Sequence, residues 1–596
     1  MGFINTYSLL IIIILLTFST RSMGQAHIRI NQVGYLPDES KKAIIFSNQK
    51  VTTKFTILNT ENQREVFKGR LSRIEQVGWG NFKYYYLADF TEFTTPGSYQ
   101  VEINNRSDTS YHFNIGPGAY TGYTEDALNF MRQQRCGYNP FFDEVCHRWD
   151  GRTMYGRLPD STYLDVSGGW HDAGDQLKYL ITSSFATGFM LLAYDLEPDK
   201  FDDLTDNLGR PDPNGLPDVL DEAKWGLDWI HKLYSYPEVL IHQVADDRDH
   251  RGWKWPFKDP SDYGWGANSY RVAYVATGKP QGLGKFKSLA TGFANVAGRS
   301  AAALALGYRV FKDKDSIYAD HCLKKAIDLY RYAKDNEGYQ QGNSFGAPYR
   351  YNEETWADDM EWAAAELYKA TKESDYLEDG IRYAKIIHVT SWMEKDSAAH
   401  YQYFPFINIG HFALYPSVDE SFKKELAGYY ESGIKNCKAR ADKNPFGIGV
   451  PFIWCSNFLV TALISQIILY ERMTGDSTYH STMLSHRDWL FGKNPWGTSM
   501  FMNIPQYGEY PVDVHTSTWA MTKKEVPGGL VDGPVFATIY NNLSGLQLTQ
   551  RDEFEVFQND YVVYHDDIGD YSTNEPTMDG TASAILLIAT FSDNIE

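Results

Sequence analysis

The sequence predicts two domains in series, a β-sandwich followed by an all-α domain. A chain of 596 residues is too long for one ordinary core. Between about His27 and Ile115, short apolar runs alternate with turn residues, as in an antiparallel sandwich. From Tyr120 onward, apolar residues recur every three or four positions, the spacing of one helix face.

The elements follow in order. Residues 1–25 carry the apolar run Leu9–Phe18 and a small-residue exit, Ser22-Met-Gly24. The run is too short to span a bilayer and reads as a cleaved secretory signal, cut near Gly24 or Ala26. The expected product is secreted or periplasmic, with no membrane association after cleavage, and monomeric. Residues 26–116 form the sandwich, of immunoglobulin-like type. Its strands include Lys42–Phe46, Lys54–Leu58, Tyr84–Leu87 and Tyr99–Ile103, with a turn at Thr95-Pro-Gly-Ser98. Gly116-Pro-Gly118 is a stiff junction. Residues 117–596 are helical. Val219, Ala223, Leu227, Ile230 and Tyr234 mark one helix face. Met360, Ala364 and Leu367 mark another, as do Leu459, Leu463, Ile467 and Tyr470. Long aromatic-rich connections at 252–284 and 494–534 suggest a ring of helices with functional loops at one end.

Composition narrows the partner. A net charge of −20 disfavours nucleic acid and anionic membranes, which need basic surfaces. An aromatic content of 15% fits stacking on sugar rings, and equally fits a large aromatic core. Five cysteines are no disulfide framework.

The chemistry concentrates in Ser167-Gly-Gly-Trp-His-Asp-Ala-Gly-Asp-Gln176. Asp172 and Asp175 flank two small residues, so a tight turn can aim both carboxylates at one water. Taken alone, the same pattern is a helix cap and turn. Far downstream, Asp570-Tyr-Ser-Thr-Asn-Glu575 supplies a carboxyl that can serve as a separate proton donor. Two carboxyls with distinct duties are the minimum equipment for hydrolysing a glycosidic bond.

Gly168–Asp175, Leu216–Trp229, Ala276–Gly282 and Asp570–Glu575, in this order, resemble glycoside hydrolase family 9. Asn31-Gln-Val-Gly-Tyr-Leu-Pro37 resembles the start of the immunoglobulin-like domain preceding many of its members. The resemblance covers nearly the whole mature chain. It implies an (α/α)6 barrel and an inverting endo-β-1,4-glucanase acting on a β-linked polysaccharide or oligosaccharide. By resemblance, Asp175 is the base, Asp172 fixes the water and Glu575 is the acid. Inversion needs base and acid ~6.5–9.5 Å apart. The paired aspartates are expected to raise each other's proton affinity, and Glu575 must stay protonated near neutral pH.

Cys136, Cys146, His147 and His171 form a donor set for a structural zinc, which some family members carry at matching places. A Cys136–Cys146 disulfide and plain buried thiols are the alternatives. Cys322, Cys437 and Cys455 read as core. Asp212, Asn214, Asp218 and Asp221 offer hard oxygens for the calcium common in the family, or serve as turn and capping residues. Trp253, Trp255, Trp265, Tyr351, Trp356, Trp496 and Tyr571 are candidate sugar platforms. His515 matches the first residue of the family's His-His-Arg element, but Thr516 and Ser517 replace the second His and the Arg. Losing a donor fork alters the grip on a sugar hydroxyl. That keeps open an exo-acting or side-chain-tolerant enzyme on xyloglucan, cello-oligosaccharides or glucosamine oligomers. A non-catalytic carbohydrate-binding protein is the remaining alternative.

Overall fold

The computed structural model describes residues 25–594, apart from 76–78, 104–107, 283 and 396–397. The expected signal segment lies outside the described residues.

The N-terminal strands are β1 (His27–Arg29), β2 (Gly34–Tyr35), β3 (Lys42–Ser47), β4 (Lys54–Asn59), β5 (Glu65–Arg73), β6 (Tyr84–Asp89), β7 (Gly97–Ile103), β8 (Asp108–Thr109) and β9 (Phe113–Ile115). They follow the order β1-β3-β6-β5-β4-β7-β9-β2, with β8 beside β7. The long β5 pairs first with β4 and then with β6, passing from one layer to the other and folding the path into a sandwich. Period-two alternation sorts the side chains. Ala43 and Ile45 of β3 enter the sandwich core, whereas Ile44 and Phe46 join the core of the second domain. Trp79 packs there too, edge-on to Phe446, Phe452 and Trp489. Polar contacts reinforce the seam: Arg487 donates to both oxygens of Glu39 at 2.7 Å, and the Asn31 amide donates to Asp488.

The helices are α1 (Tyr123–Gln133), α2 (Leu180–Leu196), α3 (Asp218–Leu233), α4 (Ala294–Phe311), α5 (Ser316–Lys334), α6 (Ala357–Thr371), α7 (Ser374–Ile387), α8 (Ile409–Leu414), α9 (Glu420–Ala441), α10 (Ser456–Thr474), α11 (His480–Leu490), α12 (Ser517–Thr522), α13 (Ala537–Tyr540) and α14 (Met578–Phe591). Among the described residues, α2, α4, α6, α8, α10 and α14 close an inner ring. The outer layer is α1, α3, α5, α7, α9 and α11, packed on those neighbours. Pattern explains the sorting. Helices α2 and α14 are apolar or small almost all round and buried over nearly their whole length. Helix α3 is amphipathic, burying Val219, Ala223, Leu227 and Ile230 and leaving Asp228 to solvent.

Short strands brace the loop end. They are β10 (Tyr138–Asn139), β11 (Glu144–Val145), β12 (Arg152–Met154), β13 (Lys178–Tyr179), β14 (Ile241–Val244), β15 (Val272–Val275), β16 (Val535–Phe536) and β17 (Val562–Val563). A four-stranded sheet, β12-β15-β14-β13, leads directly into α2.

Candidate functional site

All the inner helices except α4 start next to one cluster of side chains. Asp172 and Asp175 precede β13 and α2, Tyr351 precedes α6, His400 precedes α8, Trp454 precedes α10, and Glu575 precedes α14. Each of these residues thus lies on the segment that leads into an inner helix.

The turn 172–175 is held from three sides. Asp172 is fully buried; it accepts from Thr182 Oγ1 at 2.6 Å and from the Tyr351 hydroxyl. Asp175 accepts from the Leu177 N–H at 2.9 Å and pairs with His250 Nε2 at 3.1 Å. Between them, the Gly174 N–H donates to Glu575 Oε1 at 2.9 Å, so the distant glutamate sits over the turn. Only glycine fits at 174, because a Cβ would come within 2.2 Å of the His515 carbonyl oxygen and 2.8 Å of Glu575 Oε1.

These contacts set the carboxyls in opposite states. Burial, with Asp532 and Asp175 nearby, pushes Glu575 well above the usual carboxyl range, and the Gly174 N–H only partly offsets it. Burial also opposes ionisation of Asp175, but the hydrogen bond and charge of His250, helped by the Leu177 N–H and Lys254, hold it below the usual range. Asp172 is raised by burial, Asp579 and Asp175. The expected mutual raising of the two aspartates therefore holds for Asp172 and fails for Asp175, because His250 supplies a cation that sequence spacing did not reveal. A protonated carboxyl beside an ionised one can give a proton to a leaving oxygen and take one from water.

An aromatic arc rims the cluster. Trp253, 39% exposed, meets His515 edge-on at 4.6 Å; His515 contacts Tyr571, Tyr571 contacts Trp454, and Trp454 stacks on His400. His515 Nδ1 lies 2.6 Å from the Ile568 carbonyl, which only accepts, so Nδ1 carries the proton and Nε2 is left as an acceptor. Of the candidate platforms, Trp253 and Tyr571 belong to this arc. Tyr351 does not: it is buried beneath, with its hydroxyl on Asp172. Trp496 is 2% exposed, packed on Trp489 and Tyr564, and is a core residue. Trp255 packs on Phe142 and Phe257, Trp265 is half-buried near Arg152, and Trp356 meets Tyr383 edge-on. His250, Tyr349 edge-on to it at 4.6 Å, His400, Trp454 and Asp532 escaped the sequence reading, because no local spacing ties them to either motif; Asp579, four positions past Glu575, lies close enough in sequence to have been found.

Ser517 also has a specific place. Its hydroxyl donates to the Gly174 carbonyl at 2.9 Å, and its N–H reaches the same oxygen at 3.2 Å. Thr516 caps α12 by accepting from the Trp519 N–H. The two replacements thus serve the backbone and do not offer a donor fork.

Beside the turn, the ligand atoms of Cys136, Cys146, His147 and His171 all lie within 4.8 Å of one another. Local pairing brings them there. The 134–136 segment bonds to 169–171, through Cys136 N–H to Gly169 O and His171 N–H to Gln134 O. The β10–β11 hairpin returns Cys146 to the Gly137 carbonyl. Both cysteines are free thiols, so the disulfide alternative is not what the structure has. Separations of 3.1 Å between the two ring nitrogens, 3.6 Å between Cys136 and His147, and 3.9 Å between Cys146 and His171 suit a tetrahedral ion, whose ligands lie roughly 3.3–3.8 Å apart. His147 Nε2 faces Asp259 at 3.3 Å, the orienting partner expected of a ligating histidine. From there a buried chain runs to the turn: Asp259 and Asp249 both bind Lys254, and Asp249 accepts from the Gln176 N–H.

Of the four residues considered for calcium, Asn214 and Asp221 meet, and the other two are engaged elsewhere or exposed. Asp218 is taken by Arg132 at 2.8 Å and by the 204–205 segment; Asn214 donates to Asp221; Asp212 is exposed. They act as turn and capping groups, the second of the two readings. Among the described residues, the Cys/His cluster is the group placed to hold a metal.

Comparison with known proteins places this geometry. The pattern of glycosyl hydrolase family 9 matches residues 120–588, and that of the cellulase N-terminal Ig-like domain matches 24–107. Endoglucanase D of Acetivibrio thermocellus is 24% identical over 80% of this chain and 72% of its own. A xyloglucan-specific endo-β-1,4-glucanase of Bacteroides ovatus is 24% identical over 87% of both. A metagenome-derived family 9 endoglucanase of known structure superposes with a TM-score of 0.75 at 24% identity, over 95% of this chain and 99% of that one.

Proposed function

The chain belongs to glycosyl hydrolase family 9, and from that premise we propose that it cleaves β-1,4-linked glucans by inversion, with Asp175 as base, Asp172 as water-positioning group and Glu575 as acid. The observation that carries this reading is the Gly174 bridge, which joins a carboxyl held ionised to one held protonated. Asp175 takes a proton from a water that attacks the anomeric carbon, and the bond from that carbon to the glycosidic oxygen breaks as the oxygen takes its proton from Glu575. The aromatic arc supplies ring faces for the glycan.

Glu575→Gln is the direct test. It should lower reducing-sugar release from carboxymethyl cellulose, xyloglucan and chitosan oligomers at least ~100-fold. Equal release by the variant overturns the assignment and points to another acid, whereas no release from the wild type leaves a binding protein. The anomer first released decides the stereochemistry: an α product from a β bond supports inversion, and a β product overturns it.

Ser517 favours a second reading on substrate. Its hydroxyl turns to Gly174, so no guanidinium grips the sugar at that place. A decorated or amino-substituted glucan is then tolerated, and the substrate panel separates these cases. Product length separates endo from exo action. We further propose that Cys136, Cys146, His147 and His171 hold zinc, which would supply structural bracing and no step of the chemistry, and that the N-terminal apolar run exports the protein.

A further inference from the structure

One carboxyl beside the acid has no part in that mechanism. Asp532 is 1% exposed and lies on a segment bridged antiparallel to the one that carries the acid, with Val531 opposite Pro576. This register puts Asp532 directly opposite Glu575, and the Asp532 N–H donates to the Glu575 carbonyl at 2.9 Å. Opposite residues of an antiparallel pair project to the same face, with Cβ atoms roughly 4.5–5.5 Å apart. Asp532 Oδ2 accepts from the indole N–H of Trp454 at 2.6 Å. Its other oxygen, Oδ1, is buried, and the Cys455 thiol is the side chain set against the carboxyl. Two buried carboxyls this close cannot both ionise at low cost, so the charge of one favours the proton on the other.

We propose that Asp532 is the positioning residue of the acid: its carboxyl keeps the proton on Glu575 while its second oxygen fixes the Trp454 indole in the cleft wall. This rests on Glu575 acting as the acid. The other ionisable groups facing the pair are Asp172 and Asp175 from the turn, Asp570 and Tyr571 from the preceding loop, Asp579 from α14, Cys455 and Tyr349. After burial, Asp532 is the strongest influence raising Glu575; burial raises Asp532 as well, but the Trp454 N–H and the Cys455 thiol oppose this, so the one charge the pair holds falls to Asp532. One residue thus couples the proton inventory of the acid to the placement of a sugar-facing ring.

The test is Asp532→Asn, which keeps an acceptor for Trp454 and removes the ionisable group. Activity needs protonated Glu575 and is lost as pH rises through its pKa. Removing a neighbouring negative charge lowers that pKa, so the basic limb of kcat/KM on cello-oligosaccharides should move down by about one unit or more. At neutral pH, kcat should fall roughly tenfold with KM little changed. A dinitrophenyl β-cellobioside, whose leaving group needs no proton, should lose much less. An unmoved basic limb, or an equal loss on both substrates, overturns the proposal. Should Asp532→Asn fail to fold, Trp454→Phe carries the test. Losing the indole N–H disfavours ionised Asp532 and should shift the same limb the same way, with KM also raised. Full activity in Glu575→Gln would instead overturn the acid assignment; an inactive Glu575→Gln with an unmoved limb in Asp532→Asn sinks only this inference.

Discussion

Asp175 and Glu575 are both buried carboxyls, and a few neighbours drive them apart. His250 is the decisive one for the base, since burial alone would raise Asp175. Removing it in His250→Ala leaves desolvation less opposed and raises the Asp175 pKa. A base works ionised, so the role proposed for Asp175 is lost as pH falls through that pKa. The acidic limb of kcat/KM should therefore move to higher pH, by about one unit. An unmoved limb would assign Asp175's ionisation to Lys254 and the Leu177 N–H instead. The Asp172–Asp175 spacing was legible because the turn is local. His250 was not, because its approach is a contact across 75 positions that only the folded loop creates.

At the level of elements, the Cys/His cluster and the base turn form one brace. The hairpin β10–β11 and the 134–136 segment carry three of the donors to His171, the residue next to Asp172. Metal binding to such a set is folding free energy, because the donors are scattered in the unfolded chain. The purified protein should contain about one equivalent of zinc by elemental analysis. Cys146→Ser should lose it and melt several degrees lower, since each kcal/mol shifts a large domain by roughly 2–4 °C. Retained zinc with an unchanged melting temperature would refute the cluster as a metal site. The four donors could be named from the sequence as residue types, yet their convergence depends on a hairpin of two-residue strands too short to predict. In the calcium set, oxygens close in sequence are engaged apart: Arg132 and the 204–205 backbone take Asp218, and Asn214 donates to Asp221.

Across the whole molecule, the sandwich is a wall of the helical domain as well as a neighbour. One face of β3 fills the sandwich and the other reaches Phe446 in the helical core. Phe46 is 1% exposed, so Phe46→Ala should cost about 3–5 kcal/mol. Calorimetry should show both domains melting in one transition in the wild type. Independent melting of the sandwich, with the helical domain unaffected by Phe46→Ala, would show that the seam carries no stability.

By itself the sequence determined what is local or periodic. The strands of the sandwich follow from alternation, the helices from 3.6-residue spacing, the order of domains from where that period switches, and the carboxylate-bearing turn from two aspartates around Ala173 and Gly174. Only the tertiary structure decided which side chains meet at the end of the ring. It separated Trp253 and Tyr571 from buried Tyr351 and Trp496, brought Asp532 against Glu575, and gave Asp175 its histidine. The physical reason is range. Backbone geometry and apolar periodicity act over a few residues, whereas protonation and burial are set by whichever groups a closed ring of helices brings together.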